Sequence, residues 1–86
     1  MKTFEYTITE EVGIHARPAG MLSREGKKYK SVITVTNKDG KSANILRLMA
    51  LMGLGVKCGE TVTVSIDGED EETCAPAIEE FFKNNL

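Results

Sequence analysis

Glu60-Thr61-Val62-Thr63-Val64-Ser65-Ile66 sets an apolar side chain at every second position and a small polar one between, then stops at Asp67-Gly68. Side chains along a strand alternate between faces, so this is a strand with one dry face and one wet face. Residues 2–9 repeat the period, with Phe4, Tyr6 and Ile8 apolar between Thr3, Glu5, Thr7 and Thr9. Ser31–Thr36, with Val32, Ile33 and Val35, is another strand. Asn37-Lys38-Asp39-Gly40 carries the Asp-Gly hairpin signal, so Lys41–Asn44 pairs back as a short strand. Strands that alternate in this way need only one covered face. They predict an antiparallel sheet with its helices together on one side.

Three segments between and after these strands have helical spacing. From about Ala16 to Lys28, Ala19, Leu22 and the stem of Met21 turn inward, while Arg24, Glu25, Lys27 and Lys28 stay wet. Pro18 suits the first turn, where a missing N–H costs nothing. Gly20 and Gly26 weaken this helix by up to about 1 kcal/mol each relative to Ala, so it depends on packing. Ile45–Met52 is a short helix stopped by Gly53 and Gly55. The last segment sets Cys74, Ala77, Ile78, Phe81, Phe82 and Leu86 on one stripe. A proline deep in a helix removes a backbone bond and clashes with the preceding turn. The regular helix is therefore expected to begin near Thr73, with Pro76 in its first turn. The order is strand, helix, strand, strand, helix, strand, helix. It predicts one α+β domain over residues 1–86, an open-faced sandwich of a four-stranded antiparallel sheet with three helices on one face.

Composition excludes other classes. At 41% hydrophobic and 28% charged, the 86-residue chain has the balance of a folded protein and not of a disordered one. No apolar run approaches the 18 residues of a membrane span. The amino terminus lacks the apolar core of a signal peptide, so a cytoplasmic protein is expected. Cys58 and Cys74 are too few and too far apart for a disulfide framework or a metal ribbon. With one histidine, no metal site is expected. The formal net charge of −2 conceals a split. Residues 1–58 hold ten basic and five acidic side chains, whereas residues 59–86 hold one basic and eight acidic. A partner meets those patches separately.

The chemistry is concentrated in Gly13-Ile14-His15-Ala16-Arg17-Pro18-Ala19. The only histidine stands at the mouth of a helix whose first N–H groups are unpaired. Free donors and the positive end of the dipole make such a terminus attractive to anions. The imidazole there is the candidate nucleophile. Arg17 adds a planar fork of donors for phosphate oxygens. Nucleophile, oxyanion donors and cation within three residues form a phosphoryl acceptor. The same spacing also fits a turn histidine beside a solvated arginine, and spacing alone does not separate the two.

Gly-Ile-His-Ala-Arg-Pro-Ala resembles the active-site motif of the HPr family, the histidine phosphocarriers of the bacterial phosphoenolpyruvate:sugar phosphotransferase system. Gly40-Lys41-Ser42-Ala43-Asn44, Leu48-Met49-Ala50-Leu51-Met52-Gly53-Leu54-Gly55 and Gly68-Glu69-Asp70-Glu71 follow in family order at nearly family spacing. The resemblance covers essentially the whole chain, with one extra residue in the Asn37–Gly40 hairpin. It implies that His15 takes a phosphoryl group on Nδ1 from enzyme I and passes it to sugar-specific A components. It further implies that Arg17 steadies the phosphate, with the N–H groups of Ala16 and Arg17 as further donors. No cofactor, nucleic acid or membrane insertion is implied, and a monomer is the default. A regulatory paralogue that relays phosphate to a transcriptional or nitrogen-responsive partner is the alternative.

The second helix has large apolar residues nearly all round, so some of them must be exposed. Pattern alone also allows a thickly covered core helix. In the family the corresponding helix and the first helix form the docking surface. This makes Met21, Arg24, Leu48, Met49 and Met52 the candidates, adaptable methionines suiting several partners. Many family members carry a serine, the target of a regulatory kinase, where this chain has Arg47. Arginine can neither cap the helix nor accept a phosphate, so no serine regulation is expected there. The basic run from Arg24 to Lys30 is a solvated helix face, with Tyr29 its only aromatic. Beside a phosphohistidine that charge steers an acidic partner surface.

Overall fold

The computed structural model describes residues 1–86, in the order β1 (Lys2–Thr7), α1 (Ala16–Gly26), β2 (Val32–Thr36), β3 (Ser42–Asn44), α2 (Leu48–Gly53), β4 (Thr61–Asp67) and α3 (Glu71–Asn85). The sheet order is β1-β4-β2-β3, and every pair is antiparallel. The alternation read in Glu60–Ile66 organises the register. Phe4, Val64, Val35 and Ala43 stand in one row across all four strands. The neighbouring row is Glu5, Thr63, Thr36 and Ser42, on the uncovered face. The dry rows meet Leu22 of α1, Leu51 of α2, and Cys74, Ile78 and Phe82 of α3 in a single core. All three helices thus cover one face, as the alternation requires.

Phe82 is fully buried and meets the rings of Phe4 and Tyr6 edge to face, with centroids 5.7 and 5.6 Å apart. That geometry suits the ring quadrupoles. Two polar clasps hold the ends of α3. At its start, the Asp70 carboxylate accepts the N–H groups of Lys30 and Ser31, together with the Ser31 hydroxyl. At its end, the main-chain oxygen of Leu86 accepts the N–H groups of Thr9 and Glu10.

Several boundaries differ from those expected, and β1 ends at Thr7 and β4 runs one residue later than the alternation suggests. The second helix begins at Leu48, not Ile45. Ile45 still donates its N–H to Ile33 of β2, and Asn44 binds the N–H of Leu46 through its side chain and that of Arg47 through its carbonyl. A local turn of this kind competes with helix. Ile45 is consequently a core residue ahead of the helix. The third helix begins at Glu71, which places Pro76 in its second turn instead of its first. The Asp70 clasp fixes the starting point, and Cys74 already donates to the Asp70 carbonyl at 2.9 Å. The proline therefore costs the helix one bond, on an exposed face. The first helix stops at Gly26, because Lys27, Lys28 and Tyr29 donate to carbonyls three residues back, the tightening usual at a helix end. Ser31 and Lys41 lie just outside their strands, each with its N–H taken by a side chain, Asp70 and Asn37 respectively.

Candidate functional site

Gly13 makes the site possible. Its φ is +80°, and any Cβ there would strike the main-chain oxygen of Val56. That oxygen accepts the Ile14 N–H at 3.0 Å, so Ile14 is drawn into the core and the chain leaves it at His15. His15 is the N-cap of α1, in extended conformation (φ −128°, ψ −169°). Its carbonyl takes the Ala19 N–H at 2.9 Å, while its half-buried imidazole makes no capping bond. The ring is thus held by the backbone on either side and left free for chemistry. Pro18 occupies the third helical position and has no N–H to offer. The first turn presents the N–H groups of Ala16 and Arg17, and no protein acceptor engages either. No acidic side chain lies in that turn to neutralise the dipole.

Arg17 is exposed on the same turn. One guanidinium nitrogen (Nη2) lies 3.5 Å from Glu10 Oε2, and the other (Nη1) lies 3.5 Å from Met21 Sδ. A flexible cation and two unengaged donors therefore stand on the first turn that follows one ring. That arrangement can accept and hold a phosphoryl group.

An apolar patch lies on α2 and just ahead of it. Met49 is 77% exposed and Leu48 38%, and Leu46 just ahead of α2 is 48% exposed. The Ser23 hydroxyl of α1 donates to the Leu46 carbonyl, tying the two helices into one surface. Met21 is half-buried and borders an open groove with Arg24, Lys28 and Phe81. Met52 is half-buried as well and, unlike the other docking candidates, packs against the core. Arg47 is the N-cap of α2 and makes no side-chain capping bond.

Two neighbours of the site escaped the sequence reading. Val12, 63% exposed in the loop before His15, has no periodicity to betray it. Glu10 reaches Arg17 only because the loop folds back, and a carboxylate seven residues from an arginine carries no signal by itself. Cys58 is an exposed loop thiol directed at the Thr9 carbonyl, and Cys74 is a core thiol. No helix is long and apolar enough to cross a membrane.

Residues 2–84 match the family model for the PTS HPr component phosphorylation site. The chain is 39% identical over 85 residues to the phosphocarrier protein HPr of Mycoplasma genitalium, covering 99% of this chain and 97% of that one. Among solved structures it resembles an HPr of Thermoanaerobacter tengcongensis with a TM-score of 0.90 and 35% identity, over 99% of this chain and 94% of that chain. A dimeric HPr structure from the same organism matches with a TM-score of 0.74 and 36% identity, covering 98% and 95% of the two chains.

Proposed function

We propose, from the premise that this chain belongs to the HPr family of phosphocarriers of the phosphotransferase system, that His15 is the phosphoryl acceptor and Arg17 its anion clamp. The observation carrying this reading is the half-buried imidazole at the N-cap of α1, followed by two unengaged N–H groups and an exposed arginine on the same first turn. The Nδ1 lone pair of neutral His15 attacks the phosphorus of the phosphohistidine on enzyme I. As the new N–P bond forms, the old one breaks and its electron pair returns to the donor imidazole. The Ala16 and Arg17 N–H groups and the Arg17 fork meet the charge on the phosphoryl oxygens. The same exchange, run toward a histidine of a sugar-specific A component, discharges the carrier. Loose transfer of this kind asks for position and charge, which a domain without a deep pocket supplies.

Docking falls to Met21, Arg24, Leu48, Met49 and Met52, with Leu46 added by its exposure. The working unit is a cytoplasmic monomer, since a partner copy seated on α1 and α2 would cover the face that must meet two different proteins. Arg47 leaves α2 without a hydroxyl to phosphorylate at its N-cap. The test is phosphotransfer from purified enzyme I and phosphoenolpyruvate, with the modified nitrogen mapped by NMR. An acid-labile, base-stable phosphate on His15 Nδ1, absent in His15→Ala, is expected. Labelling that persists in His15→Ala sinks the assignment.

A further inference from the structure

We infer that Glu10 is a positioning residue that competes with the phosphoryl group for Arg17, and so keeps the charged carrier ready to give its phosphate away. This rests on the roles given above to His15 and Arg17. Glu10 is the anchored member of the pair. Its N–H donates to the Leu86 main-chain oxygen at 2.7 Å, and its carbonyl takes the Gly13 N–H at 2.9 Å in the turn that leads to His15. Its side chain is 25% exposed against 59% for Arg17, so the guanidinium is the mobile partner. The contact is loose at 3.5 Å, and the remaining Arg17 contact is a thioether, a weak acceptor.

A dianionic phosphoryl group is a better acceptor for the same fork. When His15 is charged, Arg17 turns to the phosphate and gives up Glu10. The lost pair counts against the phosphorylated state alone, which binds its phosphate less tightly than it would beside a free arginine. A half-exposed pair of this kind corresponds to an effect of about two- to fivefold on an equilibrium. That is enough to tune transfer without trapping the group.

The experiment equilibrates the chain with enzyme I at fixed ratios of phosphoenolpyruvate to pyruvate and reads the charged fraction by intact mass. Glu10→Gln should favour charging about two- to fivefold and slow hydrolysis of the phosphohistidine, with its melting temperature nearly unchanged. A merely structural role would move melting and leave the equilibrium alone. In an Arg17→Gln background the Glu10→Gln effect should vanish. If it persists there in full, Glu10 acts on the phosphate directly and the inference is overturned. A charged wild type with an unchanged Glu10→Gln equilibrium also overturns it, leaving His15 in its role. A wild type that takes no phosphate on His15 overturns both.

Discussion

The carboxylate of Asp70, at the N-cap of α3, accepts the main-chain N–H of Ser31 at 2.9 Å, joining the last helix to the entry of β2. The Ser31 hydroxyl and the Lys30 N–H complete the clasp and hold the Asp70 carboxyl below its ordinary range. A carboxylate with a depressed folded-state value stabilises the fold at pH above its unfolded value, near 3.8, and stops doing so as pH falls through the folded one. Glu60, bound by Lys38, and Glu71, bound by the amino terminus, are lowered in the same direction. Stability should therefore be flat near neutrality and fall below about pH 4. Asp70→Asn should lower the melting temperature at pH 7 and flatten the acid limb without abolishing it, as thermal melts from pH 2.5 to 7 would show.

Gly13 and Gly20 flank the site and should respond to alanine with opposite signs. At Gly13 the positive φ and the Val56 main-chain oxygen both oppose a Cβ. The strain is of order 1–3 kcal/mol. Gly13→Ala should destabilise the fold and slow phosphoryl acceptance by displacing His15. Gly20, inside α1, has open space where a Cβ would go. Gly20→Ala should add up to about 1 kcal/mol of stability. Urea titrations of the two variants give the signs directly, and the same sign for both would contradict this account.

These glycines also mark how far the sequence could be read. The alternation of Val62, Val64 and Ile66 determines which face is dry, and with it the side on which all three helices lie. The motif around His15 supplies a helix mouth, a ring and a cation within a few residues, all local and therefore legible. What escaped depends on contacts between distant segments. Asp70 fixes the start of α3 by reaching Ser31, so Pro76 falls one turn later than its own preference suggests. Ile45 stays bonded to Ile33, which delays α2. Glu10 meets Arg17 only through the turn that Gly13 closes. Neither hydrophobic period nor turn propensity encodes such pairings.

Arg47 occupies the N-cap of α2 and leaves that helix end uncapped. Serine at an N-cap accepts an N–H from the first turn, typically worth about 1 kcal/mol over a residue that cannot. A cation there also meets the positive end of the dipole. Arg47→Ser should therefore raise the melting temperature. Incubated with an HPr kinase and ATP, the natural chain should remain unmodified between residues 42 and 53, and peptide mass spectrometry would detect any exception. Phosphate on Ser42, the one hydroxyl in that interval, would show that a kinase can choose another site.

The two thiols should differ sharply in reactivity. Thiolate is the reactive form, and burial disfavours it. Cys74 lies in the core under α3, where burial first, then the charges of Asp70 and Glu25, push its thiol up to about 11. Cys58 is exposed in the loop before β4. At pH 8 a thiol-specific reagent should label one cysteine quickly, and peptide mapping should place the label at Cys58. Cys74 should react only as fast as the fold opens, so its labelling rate should rise with urea along the unfolding curve, while the Cys58 rate shows no such link. Fast labelling of Cys74 in the absence of denaturant would mean that α3 lifts from the sheet far more readily than the packing of Phe82 against Phe4 and Tyr6 permits.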